Sequence, residues 1–328
     1  MSEPYNVSVI GCGSIGALKP DDLDYPGGEN ILTHAHAIDA FPDFQFGALV
    51  DRDEDIAKKA GLKWDCMCAS NNLVLEYARS DIAIIAAPTK HHLSALTEVF
   101  VHCTPKVVVM EKPCGLNSVE CSQIDKLCAD RGTKLIVNYS RAYNPHFMAL
   151  KDALQQEKVL SCTLTYNRGK LREASHFIQL CNMWFGDHLG SYNLSSIYGF
   201  PSIDDYSKED KTECVVMKYE LCPMVFMVPI DGYECSLFEI EIITNRHKYL
   251  LVNNGDRLIV FPIGDDGIYG HYPAVKWDNK KENETNLVSK GMFYFYEHLR
   301  DLMEGTQEVI CGADEALRIH NIYEKGII

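Results

Sequence analysis

Short apolar runs alternate with stretches of helical periodicity through the first 140 residues of the 328-residue chain. The runs at 5–10, 44–50, 81–87, 106–110 and 134–137 read as strands. The stretches near 33–40, 54–60, 70–79, 91–100 and 118–131 read as helices. Strand and helix in alternation predict a doubly wound parallel sheet. After Tyr139 the pattern changes. A helix is expected over about 145–156, and strand-like runs follow at 159–167, 212–220, 224–230, 235–243, 247–252 and 257–262. A turn at Asn253-Asn254-Gly255-Asp256 joins two of them, and a helix near 175–185 is embedded early. Residues 263–287 are polar and read as loop, and two amphipathic helices close the chain near 289–304 and 313–325. The expectation is an α/β protein: residues 1–140 as a parallel-sheet domain, and 141–328 as a second α/β domain with a large open mixed or antiparallel sheet. The last helix, 313–325, is a candidate to return to the first domain.

The first strand runs directly into Gly11-Cys12-Gly13-Ser14-Ile15-Gly16. This G-x-G-x-x-G has a dinucleotide-binding form. One glycine makes a tight turn, the next lets backbone approach a pyrophosphate, and the third lets helix and strand pack closely. The helix that should follow is broken at once by the turn-rich Lys19-Pro20-Asp21-Asp22-Leu23-Asp24-Tyr25-Pro26-Gly27-Gly28. Residues 18–32 therefore read as an insertion, expected to fold over the cofactor crevice as a lid. The second strand ends in Asp51-Arg52-Asp53. An acid there bonds ribose hydroxyls and favours NAD, and the insertion accounts for its distance from the glycines. Arg52 is of the type that holds the extra phosphate of NADP, so both cofactors stay open. Asp51 and Asp53 can also simply start a turn and cap the next helix.

Composition narrows the classes. The formal net charge is −15 with no basic tract, which disfavours nucleic acid as a partner. No apolar run approaches the length of about 20 residues that spans a bilayer, and no basic, apolar leader opens the chain. A cytoplasmic protein is expected. The 13 cysteines are scattered and odd in number, and read as thiols in a reducing compartment. Cys66 and Cys68 form the only close pair, and no metal site is expected.

In an open α/β sheet the ligand crevice lies at the C-terminal strand ends. Pro88, Thr89 and His92, after the third long strand, fall there. So do Glu111 and Lys112, in Glu111-Lys112-Pro113 at the end of the next strand, both candidates to touch the cofactor. Near a nicotinamide, Lys112 can bond a substrate hydroxyl and relay its proton, with Glu111 holding or orienting the ammonium. In isolation an E-K-P reads as solvent-facing charge, and His176, at a helix start, as structural. Together with the glycine turn they read otherwise. G-C-G-S-I-G at 11–16, A-A-P-T-K-H-H at 86–92, E-K-P-C-G-L-N at 111–117, N-Y-S-R-A-Y-N-P at 138–145, R-E-A-S-H-F-I-Q-L at 172–180 and G-A-D-E-A-L-R-I-H-N-I-Y-E at 312–324 resemble the glucose–fructose oxidoreductase / inositol dehydrogenase (Gfo/Idh/MocA) family.

The resemblance implies a Rossmann domain joined to an open-sheet α/β domain. It implies NAD or NADP and hydride transfer at a sugar or polyol carbon. It makes Lys112 the catalytic lysine and His176 the histidine that shares its acid–base work. Pro88, Thr89 and His92 would line the nicotinamide side, and Tyr139 and Arg141 would lie within reach of substrate. A homodimer or homotetramer through the C-terminal sheet is implied as well. Many members carry Asp four residues before the histidine. Here that residue is Arg172, with Glu173 beside it as a replacement candidate. Arg172, with Arg168 and Lys170, suggests an anionic sugar, nucleotide- or phosphate-linked, or else a solvated basic loop. Two other readings stay open: a cofactor-binding regulator without catalysis, and an enzyme that cleaves glycosides through transient oxidation.

Overall fold

The apolar runs of the first 140 residues form one parallel sheet. Its strands are β1 (Tyr5–Ile10), β2 (Phe44–Val50), β3 (Cys68–Ala69), β4 (Ile82–Ile85), β5 (Val107–Met110) and β6 (Lys134–Val137), in the order β3-β2-β1-β4-β5-β6. Every residue of β4 and β5 is buried, as expected of strands covered on both faces. The helices between them are α1 (His34–Ala40), α2 (Glu54–Trp64), α3 (Leu75–Ala78), α4 (His92–His102) and α5 (Ser118–Ala129). Three of the starts are set by side-chain caps. Thr33, Asp53 and Asn117 accept from the first-turn amides of α1, α2 and α5. The computed structural model describes residues 3–205, 208–265, 272–283 and 287–325. None of its described helices is long and apolar enough to cross a membrane.

The insertion is spliced into the first helix. After Gly13 the chain makes one turn, with Ala17 N–H and Leu18 N–H on the Gly13 carbonyl, and then leaves. The helical ladder resumes across the gap: the Ile15 carbonyl accepts from His34 N–H, and the Gly16 carbonyl from Ala35 N–H. Residues 19–33 are thus looped out of one interrupted helix, and Asp51 returns to the spacing of about 20 residues usual for the motif.

The loop is tied down from within. The Asp24 carboxylate is fully buried and accepts from His36 Nδ1 (2.7 Å), Thr33 Oγ1 (2.8 Å) and Leu32 N–H (3.2 Å). His36 stacks on Trp64, whose indole N–H donates to the Ala17 carbonyl at 2.9 Å. Lys63 donates to the Lys19 carbonyl and pairs with Asp21. These contacts run to α1 and α2, so the insertion is an anchored Ω-type loop and differs from the freely closing lid that its turn-rich sequence suggests.

The second unit begins with α6 (Pro145–Gln155), β7 (Val159–Tyr166), α7 (Ser175–Phe185), β8 (His188–Asn193) and α8 (Leu194–Tyr198). It continues with β9 (Ser202–Ile203), β10 (Thr212–Glu213), β11 (Val215–Tyr219), β12 (Val225–Pro229), β13 (Phe238–Thr244), β14 (His247–Val252), β15 (Arg257–Asp265), β16 (Pro273–Val275) and β17 (Lys281–Asn283). The large sheet runs β16-β15-β14-β13-β7-β12-β11-β8, with β17 also on β15; β12 pairs β7 in parallel and the other pairings are antiparallel. One face, with Leu164, Tyr166, Ile240, Ile242 and Met217, is buried. Part of the expected loop 263–287 is therefore strand, paired through backbone where the side chains give no alternation. Residues 266–271 and 284–286 of that stretch lie outside the described residues.

The chain ends in α9 (Gly291–Met303) and α10 (Ala313–Lys325). It divides into Met1–Tyr143 with Ser289–Arg318, and Asn144–Val288 with Ile319–Ile328. The return of α9 to the first unit, which the expected boundary at 140 lacks, has an aromatic cause. Phe295 and Tyr296 pack against His34, Phe41, Phe44 and Tyr143 with ring centroids 5.1–6.4 Å apart.

Asp24→Ala strands a buried imidazole, so a loss of about 3 kcal/mol is expected, with residues 19–33 opened to protease. Burial pushes the Asp24 carboxyl up, but the His36 and Thr33 hydrogen bonds and the Leu32 amide outweigh it and hold it below the ordinary value. Its contribution is therefore full above about pH 4 and lost as pH falls through the lower folded-state value. Thermal melts and limited proteolysis against pH measure this, and a variant as stable and as resistant as the wild type refutes the anchor.

Candidate active site

The three glycines of the first turn are glycine for three different reasons. Gly11 has φ +102°, and a Cβ there would stand 2.5 Å from the Ala87 nitrogen. A Cβ on Gly16 would stand 1.9 Å from the Gly11 carbonyl oxygen. The protein's own packing explains both. Gly13 is exposed, and a Cβ on it would meet nothing within 4 Å. Nothing in the described protein requires that glycine, whereas a pyrophosphate lying against its backbone does. The turn therefore fits a dinucleotide. Exposed Ser14 and half-buried Ile15 lie on the same turn.

Asp51 ends β2, and its Oδ2 accepts from the Cys12 N–H at 2.8 Å while its Oδ1 accepts from Asp53 N–H. It braces the glycine turn at the rim where a ribose would sit. Asp53 is the α2 cap, accepting from Asp55 and Ile56 N–H. Arg52 is exposed. Cys12 is a correction: its side chain is buried and its amide is already on Asp51, so it shapes the turn and leaves no group for the cofactor. Burial pushes its thiol well up, with the Asp51 charge adding.

Past β4, Pro88 is exposed and Thr89 half-buried, opening a single tight turn before α4. His92 does not face the crevice. It is 1 % exposed, with Nε2 2.9 Å from the Ala87 carbonyl and Nδ1 3.1 Å from the Cys114 carbonyl. Burial lowers its pKa. It clamps the end of β4 to the segment after Glu-Lys-Pro, a structural task invisible in the sequence.

Glu111 is the second correction. Its N–H still follows the ladder, bonding the Ile85 carbonyl. Its carboxylate is 8 % exposed as a residue and turned inward, with Oε1 3.0 Å from His34 Nε2 and 2.7 Å from Asn138 Nδ2. Its second oxygen accepts from the Lys112 N–H at 3.3 Å. Burial pushes its carboxyl up, but the His34 bond and charge, Asn138 and the nearby Lys112 hold it below the ordinary value. It is an internal anchor for the strand end and not a surface for the cofactor. Lys112 is half-buried on the same strand end, and the Lys112–Pro113 bond is cis. His34, Asn138 and Tyr296 had no signal in the sequence; a buried partner for the acid of E-K-P was the one requirement that pointed to such residues.

Tyr139 is fully buried and Arg141 is 8 % exposed, on a turn in the first unit. In the second unit, residues 170–174 form a wide π-type turn that leads into α7. The Asp210 carboxylate accepts from Leu171 and Arg172 N–H at 2.8 and 2.9 Å, and burial pushes its pKa up. Asp205 likewise accepts from Arg168 N–H, Gly232 N–H and Thr212 Oγ1. Lys170 pairs with Glu213, and Arg172 Nε lies 3.5 Å from Glu173 Oε1. Lys170 and Arg172 thus each have an acid beside them, and two further acids hold the backbone of this stretch. His176 is half-buried in the first turn of α7. Among the described residues no group of His, Cys, Asp and Glu is arranged to hold a metal.

If Gly13 serves a ligand and Gly16 serves the turn, alanine separates them. Gly13→Ala is expected to keep the melting temperature without cofactor while weakening NAD binding about tenfold or more, and Gly16→Ala to lower stability by about 1–3 kcal/mol. Fluorescence titration with NADH and thermal melts check both, and equal effects at the two positions contradict the assignment.

An oxidoreductase family described by its NAD-binding Rossmann fold (GFO_IDH_MocA) matches residues 5–139. Inositol 2-dehydrogenase of Rhizobium meliloti (strain 1021) is 27% identical over 126 residues, which span 38% of this chain and 38% of that enzyme. Two solved structures are similar in fold over 98% of this chain and 94% of their own. The WlbA dehydrogenase from Bordetella pertussis, crystallised with NADH and UDP-GlcNAcA, has a TM-score of 0.72 at 16% identity. A super-repressor mutant of Gal80p from Saccharomyces cerevisiae has 0.73 at 13%. Residues 5–139 thus match the NAD-binding Rossmann unit of that oxidoreductase family.

Proposed function

We propose that the protein is an NAD-dependent dehydrogenase that interconverts a secondary alcohol and a ketone on a sugar or polyol. The observation that carries the reading is Lys112 at the C-terminal end of β5, on a strand end braced by a buried carboxylate. The glycine turn and Asp51 would hold NAD, which supplies a hydride acceptor when bound. Lys112 bonds the substrate hydroxyl, aligns its carbon and takes up the proton as the carbonyl forms. His176 shares that proton work, as the family resemblance implies. Tyr139 and Arg141 fix the segment after β6, a role their burial favours over direct contact with sugar. Arg172 and Arg168 offer an anionic sugar a cation, although Glu173 competes for the first of them.

A second reading, a cofactor-binding regulator, draws on the arginine that stands where many members carry Asp, and on the fold shared with Gal80p. Turnover separates the two. With NAD and a panel of polyols, free sugars and nucleotide sugars, the wild type is expected to reduce cofactor. Lys112→Met is expected to lose turnover by about a hundredfold or more while binding NADH as before. Tight NADH binding without turnover on any member of the panel favours the regulator, and full turnover by Lys112→Met removes the lysine from the chemistry. In the same assay Arg172→Ala raises KM for nucleotide sugars alone if the substrate is anionic.

The second sheet's other face suits self-association. Across one register row it presents Val216, Phe226, Thr163, Glu241, Leu250 and Ile259, all half-exposed. We propose that this face joins a homodimer or homotetramer. Sedimentation of Phe226→Glu/Leu250→Glu is expected to show smaller species than the wild type, and an unchanged mass argues against this face.

A further inference from the structure

Helix α1 does more than continue the cofactor turn. Its first residue, His34, is fully buried and is bonded on every side. Its N–H donates to the Ile15 carbonyl, inside the glycine motif, at 3.0 Å. Its Nδ1 lies 3.0 Å from the Tyr296 hydroxyl, and its Nε2 3.0 Å from Glu111 Oε1. Glu111 Oε1 takes its other bond from Asn138 Nδ2, which also touches Met292 Sδ. The groups around the pair are thus Tyr296 and Met292 from α9, Asn138 after β6 and Lys112 beside Glu111 itself. Two residues on, His36 pairs with Asp24 of the insertion. One helix turn is therefore pinned to the phosphate turn through backbone, to the insertion through His36, and to the end of β5 through His34.

We infer that His34 is a positioning residue for the dehydrogenase reaction: by holding the Glu111 carboxylate it fixes the strand end that presents Lys112, and it joins that strand end to the turn that would hold the cofactor phosphates. The inference rests on the proposed role of Lys112. Glu111 has one oxygen toward His34 and Asn138 and the other on the Lys112 amide, so displacement of the carboxylate moves the lysine's own backbone. Removing the imidazole leaves a buried carboxylate with one strong donor fewer. It then takes up a proton or turns away, and in either case Lys112 loses a fixed negative neighbour.

The test follows Lys112 directly. In full-length protein labelled with [13C]lysine, the Lys112 resonance is identified by its loss in Lys112→Met and titrated with pH by NMR. His34→Ala is expected to shift that titration to lower pH, in the same direction as Glu111→Gln. The double variant is expected to shift no further than Glu111→Gln alone, because His34 acts through Glu111. In turnover, His34→Ala is expected to lower kcat about tenfold to a hundredfold, with the affinity for NADH within about threefold of wild type. His34→Gln, which keeps an amide donor toward Glu111, is expected to recover part of both losses and stands in if the alanine variant does not fold. An unchanged Lys112 titration in the His34 variants overturns the inference, as does a double variant whose shifts simply add. Failure of the dehydrogenase reading looks different: Lys112→Met then keeps wild-type turnover, whatever the titration shows.

Discussion

A carboxylate taken out of water must be paired or give up its charge, and Glu111 sits under that constraint at the end of β5. Much of the first unit can be read as the answer to it. His34 comes from α1, Asn138 from the segment after β6, and Tyr296 from α9 holds the far side of the imidazole. Two elements distant in sequence thus meet on one acid, and a third holds its histidine. The pairing explains why α9 belongs to the unit that opens the chain, since its aromatic face covers a histidine that the acid requires. A surface acid at this strand end would leave the lysine on a frayed terminus. A buried and satisfied one gives it a rigid base, which is what proton transfer at a fixed atom needs.

The same helix turn resolves how the chain tolerates an insertion so close to its cofactor turn. Loop closure costs little for an excursion of this length if the two ends are held together. Here the ends are joined by the helical ladder itself, Ile15 to His34 and Gly16 to Ala35. Asp24 supplies the second tie, and its burial beside His36 and Thr33 makes the loop part of the core. Leu23 and Tyr25, either side of it, are about half exposed. The insertion therefore has a fixed root and an apolar, solvent-facing tip.

Much of this architecture was legible in the linear sequence. The buried runs such as Ile82–Ile85 and Val107–Met110 announced parallel strands, and the period of 175–185 announced α7 at its observed limits. The glycine turn, Asp51 and Lys112 could be placed from the sequence because each sits at a strand end. Illegible were contacts between positions far apart. His34 and Glu111 are 77 residues distant, and neither carries a pattern that names the other. His92 read as a crevice residue because it follows β4, yet its ring is buried between two carbonyls, and burial of one side of a turn has no linear signature. The acids that border 168–172 were hidden for a related reason: Asp205 and Asp210, which take backbone amides of this stretch, and Glu213, which pairs with Lys170, lie on a later loop and strand. Strands β8 and β16 escaped because backbone pairing along a neighbour, and not alternation, defines them.

Binding of a cofactor and catalysis with it make separate demands on such a fold. Gly13 answers only to the first, for no atom of the described protein fills the space before it. A regulator that senses NAD needs that empty space as much as a dehydrogenase does. A lysine braced by a buried acid is what the proposed dehydrogenase asks for. A regulator gains nothing from a buried carboxylate that draws side-chain donors from α1 and from the segment after β6, since neutral packing would hold β5 with less desolvation to offset. A satisfied buried acid beside Lys112, next to a turn fitted for the dinucleotide, is the physical ground on which the proposed dehydrogenase is preferred to the sensor.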